Sequence, residues 1–364
     1  MKKINVTKAL LPELKDYVKE LEDIWDSHQL TSKGSKHNTL LEAIKERLEV
    51  SKASLFVNGH LALEAILEAY ELNGEIITTA FTFPSTTHAI VRRGCTPVFA
   101  DIKADDFTLD PKSIETKITD KTVAILPVHI LGNVCDVEAI ETIAKKHNLK
   151  VIYDAAHVFG TKLNDVGVGN FGDASMFSMN ATKVFNTIEG GLLTYKDKDL
   201  TQKLDLIKYY GMESSEDITY IGSNLKMNEF QAAMGICNLP LLKQEIIQRK
   251  QIAHKYVEEL SRIDGIIVPV YKSNIEYNYS YFPILINHPT ISRDEVYESL
   301  KDKGINAKKY FYPLVTDYAC YKGKYDHNLP ISRLISEHVL CLPLYGQMSQ
   351  EEVTFVMSAI NQEF

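Results

Sequence analysis

Cysteine and tryptophan are scarce in this sequence, and long hydrophobic runs are missing. Only five cysteines and one tryptophan occur among 364 residues. The cysteines are Cys95, Cys135, Cys237, Cys320 and Cys341. Their odd number and the lack of any Cys-x-x-Cys spacing predict neither a disulfide framework nor a metal site. No apolar run approaches the roughly 18 residues that span a membrane, and the apolar stretch 9–11 is too short for a secretory signal. We therefore expect a cytoplasmic protein that does not bind membranes.

An excess of positive charge is also missing. The chain has 48 acidic and 40 basic residues, so its formal net charge is −8. This balance argues against a nucleic-acid partner. The hydrophobic content of 45% and the charged content of 24% are ordinary for a globular protein. A chain of this length can form one large domain and a smaller one.

What the sequence does contain is a regular alternation of strand and helix patterns. The candidate strands are Ser54–Val57, Glu75–Thr79, Pro97–Ile102, Thr122–Val128, Lys150–Asp154, Ala174–Ser178 and Gly191–Tyr195. Helical patterns separate the first five strands, which predicts an α/β fold with a seven-stranded, mostly parallel sheet and helices on both faces. The last two strands lack a long crossover between them, so one of them should be antiparallel.

The flanking segments complete the predicted organisation. In the helical pattern of residues 12–28, Leu14, Val18, Leu21 and Trp25 recur at helical spacing and predict one buried stripe. A long charged helix over residues 241–263 precedes a further mixture of strand and helix patterns. We predict a large domain of residues 1–240 and, in residues 241–364, a linking helix with a small α+β domain.

The loop between the last two predicted strands carries Lys183. Most lysines are solvated surface residues, but the apolar neighbours Val184 and Phe185 favour a partly buried amine. Burial lowers the pKa of a lysine and suits it to Schiff-base formation. Asp154 ends the fifth strand, where parallel sheets bind ligands, although it could equally cap the next helix. A strand-end carboxylate followed by a loop lysine suggests pyridoxal phosphate (PLP), whose ring nitrogen a carboxylate keeps protonated.

Other polar and aromatic residues allow both a functional and a structural interpretation. His157 could contact the cofactor ring, although a single histidine is more often structural. Gly59 follows a strand and opens a helix, as in a phosphate-binding turn or an ordinary βα turn. Ser178 could add a hydroxyl to the same phosphate. Phe83 could stack on the ring or pack in the core.

Together these stretches resemble the DegT/StrS family of PLP-dependent sugar aminotransferases, which have the aspartate aminotransferase fold, fold type I. The resemblance covers nearly the whole chain. Its motifs include Asn58-Gly59, Thr82-Phe83, Asp154-Ala155-Ala156-His157, Thr182-Lys183, Glu189-Gly190-Gly191, Gly222 with Asn224, and Gln231-Ala232-Ala233.

The resemblance implies a role for each matching position. Lys183 would be the Schiff-base lysine and proton shuttle, Asp154 the partner of the ring nitrogen, and Phe83 the stacking aromatic residue. Gly59, His60 and Ser178 would form the phosphate cup. Asn224 would reach a phosphate across the interface of a homodimer with shared active sites.

The sequence also departs from the family pattern. His60 replaces a usual threonine, His157 a glutamine, Asn180 a histidine and Lys226 an arginine. The run 182–191 is most similar to that of enzymes making dTDP-4-amino-4,6-dideoxyglucose.

This similarity implies that L-glutamate is used to aminate a nucleotide-linked keto sugar, dTDP-4-dehydro-6-deoxyglucose, for surface polysaccharide. Lys226, Lys308 and Tyr310 would be contacts to the sugar diphosphate. A 3-keto sugar and a UDP- or GDP-linked sugar remain alternatives. A sugar dehydratase or a regulatory homologue is disfavoured, because family dehydratases have a histidine in place of Lys183 and a regulatory homologue would be expected to lose Lys183 or Asp154, or to carry an added DNA-binding segment.

Overall fold

The computed structural model describes residues 3–325 and 328–364. Its strands are β1 (Ile4–Asn5), β2 (Ala53–Phe56), β3 (Glu75–Thr79), β4 (Thr96–Ala100), β5 (Thr122–Ile125), β6 (Lys150–Asp154), β7 (Lys162–Leu163), β8 (Val166–Gly167), β9 (Ala174–Ser178), β10 (Gly191–Tyr195), β11 (Ile266–Ile267), β12 (Ile275–Glu276), β13 (Phe282–Ile286), β14 (Ile305–Asn306) and β15 (Val339–Leu342). Its α-helices are α1 (Leu14–Ser27), α2 (Ser35–Leu48), α3 (Gly59–Ala69), α4 (Pro84–Arg92), α5 (Pro111–Lys117), α6 (Val137–His147), α7 (Leu200–Lys208), α8 (Glu229–Asn238), α9 (Leu242–Leu260), α10 (Arg293–Asp302), α11 (Pro330–His338) and α12 (Gln350–Asn361).

The central sheet has seven strands in the order β2-β10-β9-β6-β5-β3-β4. The neighbours from β9 to β4 pair in parallel. β10 is antiparallel to both β9 and β2, with Gly191 opposite Ser178 on one side and Phe56 on the other. The predicted mostly parallel sheet, with one antiparallel strand among the last two, is therefore confirmed.

Helices cover both faces of this sheet. Because side chains alternate along a strand, neighbouring residues enter different cores. Ile152 and Leu193 pack into the core that contains α3 and α7, whereas Tyr153 and Leu192 pack into the core that contains α2 and α6. Burial on both faces explains why the central strands read as continuous apolar runs.

The predicted buried stripe on the first helix is wrong. α1 forms, but Leu14, Val18 and Trp25 are 75%, 49% and 64% exposed. Ile24 is the buried residue of this helix, and Trp25 makes an edge-on contact with Phe230 of α8. Periodicity identifies an amphipathic helix, but it does not show which side the rest of the chain covers.

The C-terminal part adds a second sheet of order β11-β13-β15. Two short pairings outside this sheet link the C-terminal part to earlier segments: Ile4 of β1 pairs in parallel with Ile305 of β14, and β12 pairs with β7. The division at residues 240 and 241 stays a prediction. Of the helices in residues 3–325 and 328–364, none combines the length and apolar character needed to cross a bilayer.

A buried ion pair on α9 joins the C-terminal segments. Arg249 Nε donates to Glu245 Oε1 over 2.6 Å, and both side chains are almost fully buried. The Arg249 guanidinium also donates to the carbonyls of Ser280 and Leu344, while Glu245 accepts from the amide of Gly346. Both charges are therefore hydrogen-bonded, which is the condition for burying them.

We expect Arg249→Ala to destabilise the protein by about 3–5 kcal/mol, because Glu245 would remain buried without its partner. Arg262→Ala, just beyond the end of α9, is the matched control, since Arg262 pairs with exposed glutamates and its loss should cost less than about 1 kcal/mol. Urea unfolding measures both. Equal losses in the two variants would contradict the importance assigned to the buried pair.

Candidate active site

A cavity of about 530 Å³ opens at the carboxyl ends of the central strands. Its lining residues come mainly from the segments that follow these strands. They are Asn58, Gly59, His60, Thr82, Phe83, Ser85, Val128, Asp154, Ala156, His157, Met176, Ser178, Asn180, Thr182, Lys183, Glu189, Tyr281, Tyr310 and Phe311. This is the edge at which parallel sheets bind ligands.

Asp154, the last residue of β6, is buried in the wall of this cavity. Thr86 Oγ1 donates to one carboxylate oxygen over 2.7 Å, and the amide of Ala156 donates to the other over 3.1 Å. Burial raises the pKa of Asp154, whereas these two hydrogen bonds and the charge of Lys183 act in the opposite direction. A cationic ligand group beside Asp154 would favour the carboxylate further.

Lys183 projects from the loop between β9 and β10. Its amide donates to the carbonyl of Asn180, and its Nζ lies 5.9 Å from the ring centroid of Tyr281. Burial lowers the pKa of Lys183 to about 8, while Asp154 and Glu189 partly oppose this shift. About a tenth of the amine is therefore neutral, and nucleophilic, at pH 7, far more than for an ordinary lysine.

The imidazole of His157 is neutral in this arrangement. Its Nδ1 accepts from the amide of Leu131 over 3.1 Å, so the neutral ring carries its proton on Nε2. Burial, followed by the charge of Lys183, holds the pKa of His157 well below its usual value. The ring lies against Tyr281 and parallel to Phe311.

The turn before α3 presents backbone amides to the cavity. Asn58 caps this helix by accepting from the amide of Leu61, which leaves the amides of Gly59 and His60 in a first turn that has no intrahelical acceptors. A Cβ at Gly191 would lie only 2.2 Å from the carbonyl of Asn58. Glycine at position 191 therefore allows the lysine loop and this turn to meet, and the free first-turn amides are the kind of donors that suit an anion.

The side chain of His60 is engaged elsewhere. Its Nε2 contacts Glu64 Oε1 over 2.9 Å, and its Nδ1 contacts Ser85 Oγ over 2.8 Å. Any contact from this position to a phosphate would therefore come from the backbone amide.

The cavity brings together most of the residues predicted from the sequence. Eight of them line it: Gly59, His60, Phe83, Asp154, His157, Ser178, Lys183 and Tyr310. Asn224, Lys226 and Lys308 are not among the lining residues. Lys226 Nζ instead donates to Asn224 Oδ1 over 2.9 Å, and Lys308 pairs through its backbone with Cys341.

Sequence reasoning missed several residues of the site. Thr86 holds Asp154, and the aromatic residues Tyr281 and Phe311 reach the cavity from the C-terminal part. No local pattern distinguishes these from core residues. Glu189, which the sequence offers only as part of the Glu-Gly-Gly motif, lines the same cavity as Lys183, and its charge acts on that amine.

The donor set fits a cofactor that combines an aldehyde, a basic ring nitrogen and a phosphate. Lys183 offers an amine, Asp154 offers a buried carboxylate, and the first turn of α3 offers the free amides of Gly59 and His60. A sequence model of the DegT/DnrJ/EryC1/StrS aminotransferase family matches residues 13–361. The chain belongs to this family. Its members are PLP-dependent aminotransferases.

Two curated relatives carry the same name, dTDP-4-amino-4,6-dideoxy-D-glucose transaminase. The protein from Shigella dysenteriae is 40% identical over 363 residues, which cover 99% of each chain. The protein from Escherichia coli is 40% identical over 358 residues, which cover 97% of this chain and 96% of the other. The structure of DesI in the presence of its TDP-sugar product matches with a TM-score of 0.95 at 29% identity, covering 100% of this chain and 93% of that chain. The predicted fold type I is thereby confirmed.

We expect Lys183 to be the lysine most reactive towards trinitrobenzenesulfonate at pH 8 in cofactor-free protein. With a pKa of about 8, about half of its amine is neutral at that pH, compared with under about 1% for an ordinary lysine. Peptide mass spectrometry across a pH series measures the labelling. Lys208 is the matched control: its pKa is also lowered to about 8, but its buried Nζ donates to Ser54 and should stay unlabelled. A labelling midpoint of Lys183 above pH 10 would contradict the expected pKa.

Proposed function

We propose that this protein is a PLP-dependent aminotransferase that transfers the amino group of L-glutamate to C4 of dTDP-4-dehydro-6-deoxyglucose. The observation that carries the proposal is that Lys183 and the buried Asp154 line one cavity together with Gly59 and His60 of the first turn of α3. The names of the two 40% identical relatives support the choice of sugar and carbon. The product would serve surface polysaccharide synthesis.

Residues of the cavity account for each part of the cofactor. Asp154 would pair with the ring nitrogen, and Phe83 would stack on the ring. His157 would offer its Nε2 proton to a ring oxygen. The first-turn amides of Gly59 and His60, with the hydroxyl of Ser178, would hold the phosphate. When bound, PLP supplies an electron sink for the carbanion at the reacting carbon.

Lys183 would carry the proton transfers. In the first half-reaction its neutral amine would take the proton from Cα of glutamate and hand it to the cofactor, which would keep the amino group while water supplies the keto oxygen of 2-oxoglutarate. In the second half-reaction Lys183 would take that proton back and deliver it to C4 of the sugar, whose keto oxygen would leave as water. A pKa of about 8 suits both steps, because the amine and its protonated form are both populated near neutral pH.

We further propose a homodimer with shared active sites. Asn224 and Lys226 lie outside the cavity of a single chain, and in the dimer they would reach the partner's cofactor phosphate and sugar diphosphate. Two apolar side chains on the preceding segment, Ile218 and Ile221, are largely exposed, as expected of a surface that a second copy covers. Tyr310 in the cavity and Lys308 nearby in sequence would add sugar-diphosphate contacts.

We expect purified protein to bind PLP with visible absorbance, and borohydride to fix the cofactor on Lys183. Lys183→Ala should lose the absorbance band of the cofactor bound to this lysine. Its rate should fall by about 10²–10⁴-fold, because no other amine replaces the proton carrier. Lys145→Ala, which alters an exposed surface lysine, should leave both unchanged. Identical, colourless wild-type and Lys183→Ala proteins would refute PLP binding.

The position of the new amine should be C4 when dTDP-4-dehydro-6-deoxyglucose and glutamate are supplied. NMR of the products from a panel of dTDP-, UDP- and GDP-linked 4-keto and 3-keto sugars measures both nucleotide and carbon preference. Amination at C3, or a preferred UDP or GDP sugar, would refute the proposed substrate while leaving the reaction class intact.

Shared sites predict complementation between two variants of impaired activity. Asn224→Ala should weaken cofactor binding, and Lys183→Ala should abolish turnover. Mixing the two after dissociation should restore part of the activity, because one site of each hybrid dimer has neither change. Mixing each variant with itself is the control. A hybrid as inactive as its parents would place Asn224 in the same site as Lys183 of its own chain.

A further inference from the structure

Asn180 connects the two ends of the lysine loop. Its Oδ1 accepts from both the amide and the hydroxyl of Thr182, over 3.0 Å and 2.8 Å. Its Nδ2 donates to Glu189 Oε1 over 2.5 Å. These contacts define the orientation of the Asn180 amide, since a flipped amide would place its nitrogen against the Thr182 N–H and its oxygen against the Glu189 carboxylate.

The backbone of Glu189 is held independently of its side chain. Its carbonyl accepts from Gln231 Nε2 over 2.7 Å and from Thr187 Oγ1 over 2.8 Å. The next residue, Gly190, allows no bulk, because a Cβ there would lie 2.1 Å from the Thr187 hydroxyl. With this backbone anchored, the direction of the exposed Glu189 carboxylate depends on Asn180.

Six titratable side chains line the same cavity as Lys183, and His60 and Tyr310 are two of them. Asp154 and Glu189 are carboxylates that line the same cavity, His157 is neutral, and Tyr281 presents its ring face. The carboxylate of Asp154 already accepts hydrogen bonds from the Thr86 hydroxyl and the Ala156 amide. Glu189 is therefore the carboxylate that remains to balance the charge of the amine when Asp154 pairs with a ligand.

We propose that Glu189 and Asn180 are positioning residues for the Lys183 amine: Asn180 holds the Glu189 carboxylate at the cavity wall, where its charge stabilises the ammonium form of Lys183. This inference deepens the proposed function and rests on it, because a proton carrier must be populated in both forms. Burial alone would drive Lys183 towards the neutral amine. The second carboxylate counteracts that tendency without hydrogen bonding the amine permanently.

The test measures the pKa of Lys183 in cofactor-free protein, by the pH dependence of trinitrobenzenesulfonate labelling at that residue. Glu189→Gln keeps the shape and removes the charge, so the labelling midpoint should fall by about half a pKa unit. Asn180→Ala should cause a fall in the same direction, because the freed carboxylate turns towards solvent. In the double variant the labelling midpoint should fall no further than in Glu189→Gln alone, since Asn180 acts through Glu189.

Glu71→Gln is the matched control, because Glu71 is an exposed carboxylate paired with Lys203 outside the cavity. It should leave the midpoint of Lys183 unchanged. An unchanged midpoint in Glu189→Gln, or additive effects in the double variant, would overturn the inference. These readouts need no cofactor and no turnover. Failure of the inference is therefore distinct from failure of the proposed function, which the borohydride experiment on wild-type protein tests.

Discussion

The position of β10 between β2 and β9 is the constraint on which the site depends. Its antiparallel pairing places Gly191 opposite both Phe56 and Ser178. The turn after β2 and the loop after β9 therefore emerge at the same edge and in contact, because glycine at position 191 lets the Asn58 carbonyl approach. The first turn of α3 and a lysine far from it in sequence therefore line one cavity.

Electrostatics within that cavity follow from burial and from a few hydrogen bonds. Burial raises the pKa of Asp154 and lowers the pKa of Lys183, so it favours the neutral form of each. The opposite charge of the other group partly counteracts each shift. Thr86 and Ala156 orient the carboxylate, while Leu131 selects the tautomer of His157. The resulting arrangement, with a carboxylate at one end and free backbone amides at the other, suits a ligand that is cationic at one end and anionic at the other.

The sheet and much of the site were predictable because their signals are local. Continuous apolar runs followed by glycine, aspartate or serine mark strands that end at a ligand-binding edge, and the structure places Gly59, Asp154 and Ser178 there. The buried stripe expected on α1 was wrong, because an apolar helix face is covered only if another element reaches it. Asn224 and Lys226 lie outside the cavity, and their sequence motif alone carries no information on which surface they face.

The amino-acid sequence by itself determined which reactive and binding groups are present. They are a loop lysine, a strand-end carboxylate and a helix that begins with glycine, and each is recognisable from its neighbours in sequence. Only the tertiary structure decided which further groups act on them. Thr86, Tyr281 and Glu189 come from a helix, the C-terminal part and the far end of the lysine loop, and their distances to Asp154 and Lys183 depend on strand order and register. Hydrogen bonds and charge effects act over a few ångströms of space, so residues distant along the chain acquire their roles only when the sheet brings them together.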